Sequence, residues 1–152
     1  MQTETGERTK MRGPYRKRQI DTPPAFKNFK PSGIPRRLLK SVTISLDEYE
    51  AIRLADYAHY DHQRAAEAMG ISRPTFTRLI DQARYKFAKA FIEGLEIIVE
   101  GGNVELLHTR LRCVDCADEQ VVPFGEQIAG CRECGSTNLE DTARQYLQSD
   151  TG

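Results

Sequence analysis

Between residues 42 and 107 the apolar positions change period twice, from alternation to helical spacing and back, and these changes outline the elements. Val42–Leu46 alternates apolar and polar residues, the pattern of a short half-buried strand. Asp47, with Glu50 three residues later, reads as a capping-box-like start to a helix carrying Ala51, Leu54, Ala55 and Ala58 on one stripe, flanked by Ile52. Asp61 then caps a short helix with Ala65, Ala66 and Met69 on its apolar face. Gly70 supplies a left-handed corner, Ile71 plugs the gap, and Ser72 caps a second helix with Pro74 in its first turn, where a missing N–H costs nothing. Phe76, Leu79, Ile80, Ala83, Phe87 and Phe91 are expected to form the buried stripe of that helix, which closes at Gly94. Residues 95–100 and 104–107, separated by Gly101-Gly102-Asn103, carry a β-hairpin signature. The hairpin would pair with the 42–46 strand or with a second subunit.

Outside this stretch the chain changes character. Residues 1–25 read as a basic, largely disordered arm. Pro14, Pro23, Pro24, Pro31 and Pro35 favour extended or turn conformations, and Phe26, Phe29 and Ile34 are expected to anchor an extended strap from residue 26 onward. The organisation expected is therefore strap, three-helix core and hairpin over 26–107, a cysteine-bearing segment over 108–140, and a tail over 141–152. The fold class expected is mainly α: a three-helix helix-turn-helix core with a short β element, followed by a small four-cysteine zinc ribbon. No apolar run approaches membrane-spanning length, and the basic N-terminus lacks the apolar core of an export signal, so a cytoplasmic protein without membrane contact is expected.

The two short helices and the corner between them carry the first candidate chemistry. In a helix-turn-helix the exposed residues at the start of the second helix meet base edges and phosphates in the major groove of double-stranded DNA. Here these are Ser72, Arg73, Pro74, Thr75, Thr77 and Arg78, with Arg64 on the preceding helix. Arg73, Thr77 and Arg78 are the candidates for base readout, Ser72 and Arg64 for phosphate contact. The bland alternative is an αα-corner in an ordinary helical domain, but such a corner does not require the close crossing that Ala65 and Ala66 permit. The charge distribution agrees with a localised DNA-binding surface. Net charge is zero, yet residues 1–40 hold eleven Lys/Arg against three Asp/Glu, a net of +8, while the rest is mildly acidic. A solvated basic tail is the competing reading of that arm.

The second candidate site is Cys113-Val-Asp-Cys116 and Cys131-Arg-Glu-Cys134, two CxxC pairs fourteen residues apart. Each pair presents two thiolates from a tight knuckle, and two knuckles complete a tetrahedron around Zn²⁺. Rubredoxin-like iron shares that geometry and is the lesser alternative. Residues 108–140 have too few apolar side chains for a core of their own, so metal binding would supply their folding energy. The segment is expected to be a structural module separable from the helical core. His59, His62 and His108 are scattered and read as surface residues, His62 with phosphate contact as its alternative. No nucleophile setting or phosphate-cradling glycine loop is present, so no enzymatic activity is expected.

FKPSGIP (Phe29–Pro35), LDEYEAIRLAD (Leu46–Asp56), AAEAMGISRPTFTRLIDQAR (Ala65–Arg84) and IVEGGN (Ile98–Asn103) together resemble the prokaryotic family catalogued as domain of unknown function 134. Its members are described as predicted DNA-binding proteins whose helix-turn-helix is similar to region 4 of the sigma-70 factors, and paired cysteines recur as a C-terminal extension. The likeness covers roughly residues 12–107. His62, Gln63 and Arg64 depart from it, because the family usually has acidic residues where this motif helix begins. The resulting expectation is a sequence-specific DNA-binding transcription regulator, acting as a homodimer because one recognition helix buries too little surface for tight selective binding. The alternatives are an adaptor that contacts RNA polymerase and a metal- or redox-responsive switch.

Overall fold

In the computed structural model, which describes residues 17–147, the proline-punctuated N-terminal segment is built into sheets instead of hanging free. Arg18–Ile20 forms β1, paired in parallel with β5 (Val104–Leu106) so that Ile20 lies opposite Leu106, both buried. Asn28–Phe29 forms β2, antiparallel to β4 (Glu96–Val99), whose other edge runs parallel to β3 (Ser41–Ile44). A third, antiparallel sheet centres β6 (His108–Cys113) between β7 (Glu119–Pro123) and β8 (Leu139–Asp141). Eight strands in three small sheets make the described residues mixed α/β, which corrects the expectation of a mainly α fold. The physical reason is that extended segments leave backbone N–H and C=O groups unpaired, and near a core those groups must find partners.

The basic arm therefore does not extend to residue 25; residues 1–16 lie outside the described residues. The anchors also differ from expectation. Phe26, Phe29 and Ile34 remain exposed, the two phenylalanines meeting edge to face, while Ile20, Pro23 and Pro24 are fully buried. Prolines fit here because their missing N–H is not required by the pairing on either side.

Leu46–Ile52 forms α1, and its start is set two residues earlier than the sequence pattern suggested. Ser45 and Glu48 make the reciprocal capping box, with Ser45 Oγ accepting from the Glu48 N–H and the Glu48 carboxylate accepting from the Ser45 N–H. Glu50 is instead turned inward, accepting from the Arg53 guanidinium and the Asp21 N–H. The helix then widens by a π turn, Arg53–Tyr57, closed by the Ala58 N–H to the Arg53 carbonyl at 2.8 Å. His62–Met69 forms α2, capped by Asp61 as expected, and Gly70 turns the chain with φ 69°. Arg73–Glu93 forms α3, capped by Ser72 with Pro74 in its first turn and ended by Gly94.

Ala65, Ala66, Met69, Phe76 and Ile80 are fully buried where α2 crosses α3. The expected stripe fails further along: Phe87 and Phe91 are exposed. At 21 residues α3 spans about 31 Å, whereas α1 and α2 have seven and eight residues; in its later turns Ala90 stays buried and Lys86 reaches Glu48 of α1, while the face carrying Phe87 and Phe91 opens onto clefts.

Two further corrections concern the connections. The hairpin does not form, because β4 and β5 belong to different sheets. Gly101 and Gly102, with φ of 81° and 101°, carry the chain across the start of α1, where the Gly101 carbonyl accepts from the Leu46 N–H at 2.9 Å. A Cβ on Gly102 would lie 3.0 Å from Asp47 Oδ1, so Gly102→Ala is expected to destabilise the protein by about 1–3 kcal/mol through strain and crowding. A thermal melt checks this; an unchanged midpoint would mean that the crossing relaxes freely.

The last correction is at the C-terminus. The boundary at residue 140 falls inside β8, and Arg144–Leu147 forms a short helix, α4. Ala143 and Tyr146 are buried in the same apolar cluster as Phe76 and Ile80, and Tyr146 donates its hydroxyl to the Pro24 carbonyl at 2.9 Å. The chain beyond the cysteines thus returns to the helical core.

Candidate metal centre and nucleic-acid interface

The two CxxC loops repeat one local geometry. In the first, the Cys113 carbonyl accepts from the Ala117 N–H at 2.9 Å and the Cys113 N–H donates to the Asp118 carbonyl at 2.9 Å. In the second, the Cys131 carbonyl accepts from the Gly135 N–H and the Cys131 N–H donates to the Ser136 carbonyl, both at 2.8 Å. The fifth residue of each knuckle is left-handed, Ala117 with φ 67° and Gly135 with φ 76°. Glycine adopts that conformation freely and alanine under some strain, so the first knuckle is held by its surroundings. The Ser136 hydroxyl, bonded to Asp115, ties one loop to the other.

The consequence is a cluster of four sulfurs all within 4.8 Å of one another, with Cys113–Cys134 and Cys116–Cys131 each at 3.6 Å. Disulfide sulfurs would be near 2.05 Å, whereas a tetrahedron with Zn–S bonds near 2.3 Å has edges of about 3.8 Å. This set could therefore hold a metal ion, and the four sequence-predicted ligands are brought together. Cys113 and Cys131 are buried, Cys116 and Cys134 exposed. Backbone N–H groups of Cys134 and Glu133 lower the Cys131 thiol to about 7. At Cys116 the Asp118 N–H also favours the thiolate, but partial loss of hydration among the adjoining thiols of Cys131, Cys113 and Cys134 outweighs it and raises the group to about 12. Four negative charges at this spacing need a cation among them.

The second candidate site lies on the helical core, at the opening turns of α3. Ser72 Oγ accepts from the Thr75 N–H and exchanges a 2.8 Å hydrogen bond with Thr75 Oγ1, so both hydroxyls serve the cap. Arg73, Pro74 and Arg78 are exposed, and the first turn of α3 contains no acidic residue. The positive end of the helix dipole is thus uncompensated there. Arg64, exposed on α2, lies over the Tyr60 ring at 3.7 Å, which fixes a long side chain by stacking.

Thr77 is half-buried, with Oγ1 3.0 Å from His62 Nδ1, and the His62 ring meets Phe76 edge-on. His62, expected at the surface, is instead half-buried between Thr77 and Phe76; the signal lay only in the two helices crossing at that height. Arg18 is another residue that sequence reasoning missed. It shares a cleft with Thr75, Arg78 and Gln82, and its ion pair with Asp47 braces it from behind. Among the described basic residues of the N-terminal segment, Lys30 lies elsewhere, bordering a cleft with Phe91 and Gly94 at the far end of α3.

The profile of the family described as "Protein of unknown function DUF134" matches residues 7–107. The chain belongs to the DUF134 family. A "UPF0251 protein" of Chloroherpeton thalassium is 54% identical over 128 residues, covering 84% of this chain and 85% of the relative. A "UPF0251 protein" of Halothermothrix orenii is 40% identical, over 86% of this chain and all of its own length. One from Methanothermobacter thermautotrophicus is 41% identical, over 88% of this chain and 69% of the relative. Alignments of this length reach past residue 107, so likeness to other DUF134 proteins extends into the cysteine-bearing segment. Among the described residues no helix is long and apolar enough to cross a membrane.

Proposed function

We propose that this DUF134 protein binds double-stranded DNA with sequence selectivity and regulates transcription, using α2, the Gly70 corner and α3 as a helix-turn-helix. The observation that carries the reading is the exposed, acid-free opening of α3. There Arg73, Pro74 and Arg78 are exposed, Arg78 shares a cleft with Arg18, Thr77 is half-buried, and Arg64 stands exposed on the preceding helix. Arg73, Thr77 and Arg78 would meet base edges, and Ser72, Thr75, Pro74 and Arg64 would lie against the backbone, where phosphates favour a helix N-terminus. Thr77 held by His62 and Arg64 held by Tyr60 lose little side-chain entropy on docking.

The four cysteines are read as a structural Zn²⁺ site. Thiolate donors on two local knuckles suit that ion, and a closed four-thiolate shell leaves no position for a substrate, so we assign it no catalytic role.

Selection of bound fragments from random duplex DNA, followed by titration at several salt concentrations, tests the reading. Arg78→Ala is expected to weaken the preferred site by about 1–3 kcal/mol and to relax its preference. An Arg78→Ala protein with unchanged affinity and preference would remove that residue from the readout. Absence of any salt-dependent DNA binding by the metal-loaded protein would overturn the proposal and leave the adaptor reading.

A further inference from the structure

The outer face of the C-terminal half of α3 does not turn polar. Tyr85, Phe91 and Ile92 are 66%, 86% and 78% exposed. Their patch continues onto the adjoining elements, since Phe29 and Phe87 line one cleft of about 380 Å³ together with Tyr57 and a second of similar volume together with Phe91. At about 150–250 Å² per aromatic side chain, these six residues present on the order of 800 Å² of mostly apolar surface. A typical monomer's largest apolar patch is about 300–600 Å², whereas a standard interface takes about 800 Å² from each partner.

We propose that this face, formed by the C-terminal half of α3 with Phe29 and Tyr57, packs against the same face of a second copy of the chain. Two observations favour a second copy over another partner. Arg84 and Lys89 beside the patch are closed within the chain, on Asp56 and Glu93, so these charges neither draw a strongly charged partner nor repel a second copy, and Lys30 stands at the rim of the cleft with Phe29 and Phe91. The patch is also self-complementary in size. Ala88 lies between Tyr85 and the Phe91–Ile92 pair on one side of the helix. Two α3 helices running in opposite directions approach at Ala88, with each Tyr85 against the other copy's Phe91 and Ile92, as an isologous contact demands.

The association does not depend on DNA.

Sedimentation of the metal-loaded full chain without DNA tests the proposal. The wild type is expected to sediment at twice 17.3 kDa in the micromolar range. Phe91→Asp is expected to weaken association by about 100-fold or more while leaving the far-UV circular dichroism of the folded chain unchanged, since the side chain is almost fully exposed. Ile92→Lys provides a second, independently exposed position with the same expectation. A wild type that remains a single chain at about 100 µM overturns the proposal and leaves an apolar ligand or a different protein as occupant. A pair undiminished by both substitutions also overturns it, by placing the contact elsewhere.

Discussion

Removing metal from the four-cysteine centre, or replacing Cys113 by Ser, is expected to loosen the helical body as well as the segment that carries the ligands. Cys113 ends β6, the central strand of its sheet, and its sulfur faces Cys134 from the other knuckle. That sheet has little else to hold it. The Thr109 hydroxyl, bonded to Asp141, and Gln120 take buried positions that would otherwise be apolar, while Leu111, Val122 and Leu139 are only half-covered. Structural zinc contributes about 10–16 kcal/mol of apparent binding energy in small modules, and here it would stand in for the missing core. Without it β8 loses its register on β6, and Ala143 and Tyr146 lose the strand that delivers them to the core. The expected result is loss of the third sheet together with a drop of about 3–5 kcal/mol in the stability of the helical part. Metal content, far-UV circular dichroism and a denaturant titration, taken before and after chelation, check this. A helical transition indifferent to metal would restore the separable module that the sequence pattern suggested.

The parts that were legible in the sequence are those fixed by neighbours along the chain. Asp61, Gly70, Ser72 and Gly94 set the ends of α2 and α3 through hydrogen bonds reaching no more than a few residues, and each stands where the pattern put it. The CxxC knuckles are likewise local, so their convergence could be read from spacing alone. The start of α1 was misread because Ser45, Asp47, Glu48 and Glu50 all suit a helix start, and only burial of Glu48 and Glu50 by Lys86, Arg53 and Asp21 selects among them.

What was illegible depends on distant pairing. β1 is three residues long and finds its partner more than eighty residues away, and nothing in its own composition announces that. Gly101-Gly102 satisfies the hairpin signature equally well whether the flanking strands pair with each other or, as here, with β3 and β1. The outer face of α3 shows the limit of periodicity. A residue eleven positions after Phe76 returns to nearly the same side of the helix, but an open cleft bordered by Tyr49, Ile52 and Ile97 leaves Phe87 exposed, and Phe91, turned about 60° away, lies beside a second cleft. Two phenylalanines that look like core are therefore surface.

Tyr146→Ala is expected to cost about 3–5 kcal/mol, the range for deleting a large buried ring, although the residue lies beyond every cysteine ligand. Its ring fills the core beside Ala143, and its hydroxyl satisfies the Pro24 carbonyl, so one side chain clasps the N-terminal strap, the helices and the third sheet together. Metal content should not change, because Cys113, Cys116, Cys131 and Cys134 keep their knuckles; this separates the clasp from the metal centre. Burial, reinforced by the nearby Tyr49, raises the Tyr146 hydroxyl from its usual value near 10 to about 12. The folded state then holds its proton where the unfolded state has released it, so this contribution is intact below pH 10 and declines between pH 10 and 12. Tyr146→Phe is expected to keep most of the packing, to cost about 1 kcal/mol for the unpaired carbonyl, and to flatten the alkaline decline. Denaturant titrations of the three proteins across that window measure all of these effects. If Tyr146→Ala shifted the transition by less than about 1 kcal/mol, α4 would be resting on the core without holding it.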